Sequence, residues 1–265
     1  AASDVYKRQI WGGTRLNREF GYPIEGDDIG ECWGISAHPN GDGTVASGAY
    51  KGMKLSELWE KHPELFGDTG MDRFPLLVKI IDAKDDLSIQ VHPDDAYAKA
   101  HENGSLGKTE CWFILDCKEN ATLVVGHNAK TKEELEQMIH EGRWKEFIRE
   151  IPIKPGDFIQ IDPGTVHAIK GGTLLLETQQ SSDITYRVYD YDRLSNGKPR
   201  QLHIVQSIDV ITVPAKSADN SVVHIEKKDD AIQQLIQCPY YTVYRIDVEH
   251  LSLIHISEPT RLRRI

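Results

Sequence analysis

Most apolar residues of the chain come in short runs broken by Gly, Pro, Asn or Asp, and few follow a helical stripe. Runs of this kind, rich in β-branched and aromatic side chains, predict strands. They fall at 76–82 (LLVKIID), 87–92 (LSIQVH), 111–117 (CWFILDC), 122–127 (TLVVGH), 157–163 (DFIQIDP), 173–179 (TLLLETQ), 184–191 (ITYRVYDY), 221–227 (SVVHIEK) and 240–249 (YYTVYRIDVE). The Asn196-Gly197 pair between Ser195 and Lys198 predicts a hairpin turn. A helical period appears twice. Over 55–66 the apolar positions are Leu55, Leu58, Trp59 and Leu65. Over 130–151 Thr131 and Glu134 form a capping box, Leu135, Met138 and Ile139 form a stripe, and Trp144, Phe147 and Ile148 resume it after Gly142. Both read as amphipathic helices facing the core. Many short strands with two helical excursions predict a mainly β protein, an antiparallel barrel or jelly roll.

The polar stretch AKSADNS after Pro214 reads as a linker. It divides a first domain, 10–214, from the start of a second, 215–250. The ends, AASDVYKRQ (1–9) and LSLIHISEPTRLRRI (251–265), resemble translated sequencing-adapter sequence and are expected to be non-native. The chain has 265 residues and a formal charge of −10, which opposes binding to nucleic acid. An anionic ligand would need cations placed locally, because the global field repels it. No apolar run approaches about 18 residues, so no membrane span is predicted. Cys32, Cys111, Cys117 and Cys238 form no C-x-x-C pair. They read as reduced thiols of a cytoplasmic protein, not as a zinc finger or a disulfide framework.

Chemistry gathers where polar residues interrupt the strands. In SIQVHP, Ser88, Gln90 and His92 share one face of a strand while Leu87, Ile89 and Val91 take the other. Lys108 and Glu110, again two apart, lead into the strand CWFIL. His167 follows the turn Pro163-Gly164 after FIQID. A pair of ligands on a strand, a carboxylate some twenty residues on, and a histidine after a Pro-Gly turn is the order of donors in metal-binding β-barrels of the cupin type. Imidazole and carboxylate suit zinc, iron or manganese. Gln90 is neutral, so with His92, His167 and the Glu110 carboxylate it would leave a divalent ion net positive and a strong Lewis acid. On their own, Gln90 and His92 could equally face water, Lys79 could snorkel from the strand 76–82, and RVYDYDR could be a charged edge that resists aggregation. His38, His62, His101, His127, His140, His203 and His224 have no evident partners in the sequence.

Six stretches resemble the short bacterial form of type I phosphomannose isomerase, a cupin. They are IWGGTRL (10–16), GECWGISAHPNGDGTVASG (30–48), PLLVKIIDAKDDLSIQVHPDD (75–95), GKTECWFIL (107–115), PGDFIQIDPGTVHAI (155–169) and LLLETQQSSDITYRVYDYDR (174–193). The resemblance spans about 10–250. It implies a jelly-roll barrel with helical insertions and a truncated second cupin-like domain. It implies one zinc on Gln90, His92, Glu110 and His167. It implies interconversion of mannose 6-phosphate and fructose 6-phosphate through a cis-enediol. It gives catalytic roles to Arg187, Lys108 and Glu177, with Lys108 and Glu177 as rival bases, and substrate contacts to Ser88, Lys79 and Asp183, the last orienting a cation. The expected partner is a small sugar phosphate, with no nucleic acid or membrane. Iron-dependent cupin chemistry and a non-catalytic metal- or sugar-binding cupin are the competing expectations. Mere metal binding would need neither Lys108 nor Arg187.

Overall fold

A computed structural model describes residues 2–3, 5–217, 222–223, 225 and 232–247. Eleven strands build its main body: β1 (Val5–Gly13), β2 (Ile29–His38), β3 (Leu76–Ala83), β4 (Ile89–Val91), β5 (Glu110–Cys117), β6 (Thr122–His127), β7 (Ile148–Pro152), β8 (Phe158–Ile161), β9 (His167–Ala168), β10 (Thr173–Gln180) and β11 (Tyr186–Tyr189). Six short helices interrupt them: α1 (Arg15–Phe20), α2 (Leu55–Lys61), α3 (Asp95–His101), α4 (Lys132–His140), α5 (Trp144–Phe147) and α6 (Ile204–Val210).

The strands form two antiparallel sheets. One runs β8-β5-β10-β3-β1-β2, with β2 also pairing with β3, and the short strands Val222–Val223 and Gly41–Asp42 extend its ends. The other runs β7-β6-β9-β4-β11. Trp112, Ile114, Leu123, Val125, Ile159, Ile161 and Leu175, drawn from both sheets, pack into one core. Alternation along the strands places these side chains. On β10, Leu175 and Glu177 share a face; on β3, Lys79 and Ile81 do; on β5, Glu110, Trp112 and Ile114 do. Leu175 is registered with Ile81 and Ile114, while Glu177 is registered with Lys79 and Trp112. The same interior face is therefore apolar toward one end of these strands and polar toward the other.

The opposite face of the five-stranded sheet is apolar and covered by helices. Ile89, Val91, Val124, Tyr186 and Val188 pack with Leu135, Met138, Ile139 and Phe147 of α4 and α5. The Thr131 hydroxyl caps α4 by accepting from Glu134 N, as expected. The expected helix over 130–151 is shorter than its pattern. Gly142, at φ 66°, ends α4, α5 is a single turn, and Ile148–Pro152 is a strand on β6. The stripe continues across this break because both elements bury the same core. The helix expected over 55–66 is likewise α2 followed by a 3₁₀ turn at Pro63–Phe66, since a proline cannot continue the ladder. It does not face the main core. Leu65 is exposed, and Trp59 instead packs with Phe66 and Phe74 in a peripheral aromatic cluster. The turn at Asn196-Gly197 is present, both residues at positive φ between the paired Leu194–Ser195 and Lys198–Pro199.

The chain divides into two compact units, Ala1–Val223 and His224–Ile265. In the second, Ile232–Gln237 and Thr242–Ile246 form an antiparallel hairpin. Of the strand expected at 221–227, Val222–Val223 is present and pairs with β8, while residues 221, 224, 226 and 227 lie outside the described residues. The end 251–265 lies outside them as well. Val5–Gln9 belong to β1. No helix among the described residues is long and apolar enough to cross a membrane. None of the four cysteines forms a disulfide.

Candidate metal centre and substrate cavity

Three strands and one loop end bring the expected ligands together. On β4, Ile89 and Val91 are buried in the helix-covered core, which turns Gln90 to the barrel interior. His167 on β9 is registered with Gln90. Glu110 opens β5, and His92 follows β4 directly. Donor atoms of His92, Glu110 and His167 all lie within 4.8 Å of one another, and the three residues are buried. His92 Nε2 is 3.4 Å from Glu110 Oε2, and His167 Nε2 is 3.3 Å from Glu110 Oε1. His167 Nδ1 lies 2.9 Å from the Thr165 carbonyl. Donating there fixes the tautomer and leaves Nε2 a bare lone pair toward the cluster, as a ligand requires. Gln90 Nε2 lies 3.2 Å from His167 Nε2. Exchanging the two ends of that amide, which differ only by hydrogen-bond assignment, sets the carbonyl oxygen at this position.

The donor set fits a divalent metal. Among the described residues, both Glu110 oxygens and both His92 ring nitrogens are buried without a well-formed hydrogen bond, and the close polar neighbours of Glu110 are Lys108 in an ion-pair contact and the two imidazoles. Such orphaned groups cost free energy unless something absent from the chain satisfies them. Burial, with Lys108 adding to it, pushes His92 down to about 3, and burial lowers His167 too, so both imidazoles are neutral at physiological pH. Burial alone would raise Glu110, but Lys108 and the two histidines outweigh it and hold the carboxyl well below the usual range. Two neutral imidazoles and one carboxylate are the protonation states a metal needs.

A cavity of about 310 Å³ opens beside this cluster. Ser88, Gln90, Lys79, Lys108, Glu177, Asp183 and Arg187 all line it. Lys108 Nζ lies 3.1 Å from Glu110 Oε2. Lys79 is buried and paired to Glu177 at 3.0 Å, so it does not snorkel to the surface. Burial and the nearby Glu110 raise Glu177, against the pull of Lys79 and Lys108. The Ser88 hydroxyl lies 3.5 Å from the other end of the Gln90 amide, the long limit of a hydrogen bond. Arg187 on β11 is registered with Gln90, and its buried Nε has no partner. Its Nη1 donates to the Gln201 carbonyl at 2.9 Å. Asp183, expected to orient a cation of the site, faces other partners. Its carboxylate accepts from Asn40 Nδ2 at 2.5 Å and lies 3.5 Å from His38 Nε2, and among the described residues no ion pair joins it to Lys79, Lys108 or Arg187.

Other residues of this wall escape a reading of the sequence alone. Glu31 and Trp33 on β2, with Gln9, Arg200 and His203, also line the cavity. His38 and His203 have partners after all: His38 meets Asp183, and His203 Nδ1 accepts from Arg187 N. The one available signal for Glu31 and Trp33 was their two-residue spacing in GECWGIS, the same spacing that marks Ser88, Gln90 and His92.

Two facing antiparallel sheets with a buried imidazole–carboxylate–amide cluster inside define a cupin. A family model for the catalytic domain of type I phosphomannose isomerase matches residues 2–113. The chain is 55% identical to mannose-6-phosphate isomerase ManA of Bacillus subtilis over 256 residues, which cover 96% of this chain and 81% of that protein. It therefore belongs to the type I phosphomannose isomerase family. It is also similar to the crystal structure of mannose 6-phosphate isomerase from Bacillus subtilis, with a TM-score of 0.84 at 51% identity, covering 92% of this chain and 78% of that one. A zinc-bound mannose 6-phosphate isomerase, 16% identical, shares the fold with a TM-score of 0.63 over 86% of this chain and 78% of that one.

Proposed function

We propose that the chain is a zinc-dependent aldose–ketose isomerase interconverting mannose 6-phosphate and fructose 6-phosphate. The observation that carries this reading is the buried His92–Glu110–His167 cluster, joined through Gln90 and Lys108 to a cavity that Lys79, Glu177 and Arg187 also line. Gln90, His92, Glu110 and His167 hold the ion. When bound, zinc supplies Lewis-acid stabilisation of negative charge developing on the sugar's C1 and C2 oxygens. The chain's own residues do the rest. Glu177, raised by burial, takes the proton from one carbon and returns it to the other through a cis-enediol, since a base works best near the operating pH. Lys108, held on Glu110, is the alternative carrier of that proton. Arg187 offers a rigid fork of donors to the sugar or phosphate oxygens. Ser88, Lys79 and Asp183 contact the substrate, the last with His38 beside it.

A non-catalytic metal-binding cupin is disfavoured by Lys79, Glu177 and Arg187, which metal binding does not need. A coupled assay on mannose 6-phosphate tests the proposal. Fructose 6-phosphate should form, production should stop after complete chelation, and zinc should restore it. Turnover that survives metal removal, or none in zinc-loaded protein, would overturn the reading.

A further inference from the structure

Within the cavity, two carboxylates flank one ammonium. Lys79 Nζ lies 3.0 Å from Glu177 Oε1 and 3.6 Å from Glu31 Oε2. Each carboxylate is clamped by an indole. Trp112 Nε1 donates to Glu177 Oε2 at 2.9 Å, and Trp33 Nε1 donates to Glu31 Oε2 at 2.7 Å. Gln9 Nε2 donates to the other Glu31 oxygen at 2.7 Å. The Trp33 ring also stands 5.4 Å from Lys79 Nζ. Strand register builds this arrangement. Lys79 is paired with Glu177 across one edge of β3 and with Trp33 across the other, and Glu31 precedes Trp33 by two residues on the same face.

We propose that Glu31 is a positioning residue: by sharing Lys79 with Glu177, it stops the lysine from closing a one-to-one ion pair over the Glu177 carboxylate. The inference rests on the isomerase reading with Glu177 as base. Two carboxylates around one ammonium leave the trio with one surplus negative charge, and that surplus can accept a proton. Without Glu31 the trio becomes a neutral pair, and a carboxylate in a buried pair is a weak base. An ammonium has three N–H donors, so a lysine held between two carboxylates keeps one for a substrate oxygen. The other charged groups acting on Glu177 are Glu110, which opens β5, and Lys108 just before it, and the remaining charged or titratable groups of the cavity lining are Asp183, Arg187, Arg200 and His203.

The test uses the zinc-loaded full chain and Glu31→Gln, which removes the charge and keeps an acceptor for Trp33, while the Gln9 amide must turn over to accept from the new N–H. The Trp112 indole N–H resonance reports Glu177 ionisation without substrate, because that N–H donates to it. Its pH midpoint should fall by roughly 0.5 unit or more, since a neighbouring negative charge is lost and Lys79 commits fully to Glu177. The kcat for mannose 6-phosphate should fall about tenfold or more, with KM nearly constant and the acid limb of the kcat profile moved to lower pH. Trp33→Phe, which keeps a ring near Lys79 but loses the clamp on Glu31, should move both readouts the same way by less. An unmoved indole midpoint in both variants, or a moved midpoint with parental kcat, would overturn the proposal. Absence of turnover in the parent would instead refute the isomerase reading, while the indole midpoint would still report Glu31's hold on Glu177.

Discussion

Glu110 is fully buried, with Lys108 Nζ 3.1 Å from its Oε2 and the Nε2 atoms of His92 and His167 at 3.4 and 3.3 Å from its two oxygens. An ion among these donors would complete the set. Glu110→Gln removes the one anionic ligand while keeping the shape. Zinc affinity should fall more than roughly 100-fold, beyond the effect of changing an outer-shell partner. Zinc retained at one equivalent after dialysis would exclude Glu110 as a ligand. Arg187 carries a different demand. Its neighbour Gln90 places it in the cavity, and its Nε is left without a partner. Arg187→Lys swaps a planar fork for a point charge, so kcat/KM should fall by at least about 2 kcal/mol, roughly 30-fold, on the scale of losing one preorganised donor. A near-parental kcat/KM would place Arg187 outside the reaction. At this scale the buried cluster of His92, Glu110 and His167 was legible, because strand spacing of two and a Pro-Gly turn are local patterns. Glu31 and Trp33 were not, because their role depends on the register of β2 against β3, more than forty residues away in sequence.

The elements show where local pattern stops deciding. Strand over 148–152 and helix over 132–140 share one apolar stripe, and only the neighbour β6, offering an unpaired edge, turns the second half into a strand. Strand β2 was missed because Gly30, Gly34 and the mixed burial of its face blur the alternation. The edge strand β11 reads as a charged, aggregation-resistant edge, and its charges do more than that. Beyond it, the buried Asp190 accepts from Arg200 Nε at 2.6 Å and from Arg193 Nη2 at 2.6 Å, so it fixes the loop that carries Arg200 to the cavity wall. Burial would raise Asp190, but Arg200 and Arg193 outweigh it and lower its folded pKa. A depressed folded pKa contributes stability that is present above the unfolded value, about 3.9, and is lost as pH falls through the folded one. Asp190→Asn should therefore destabilise the protein more at pH 7 than near pH 3, below the unfolded value, measured by urea unfolding. A pH-independent difference would show that the arginine pairs contribute no linked stability.

At the scale of the whole molecule, a chain of charge −10 must still draw in a sugar phosphate. Arg187, which lines the cavity and forms no ion pair among the described residues, is the cation best placed to supply that attraction, because Lys79, Lys108 and Arg200 are each already paired to a carboxylate. Every one of them, every metal ligand and both large sheets lie in the unit Ala1–Val223. The short strand Val222–Val223 closes one edge of the larger sheet on β8, so a cut after Val223 spares the pairing. The described hairpin of the second unit pairs only within itself, Ile232 with Ile246 and Gln237 with Thr242, and its Ile232, Tyr244 and Ile246 are exposed. These observations predict that the first unit is sufficient for metal binding. A chain ending at Val223 should bind one zinc with parental affinity. It should unfold cooperatively within about 4 °C of the full chain, the shift that roughly 1 kcal/mol produces in a domain of this size. If the truncated chain were insoluble, or bound zinc more than tenfold weaker, the second unit would have to be counted as part of the site's scaffold, and stability of the centre would belong to the whole chain.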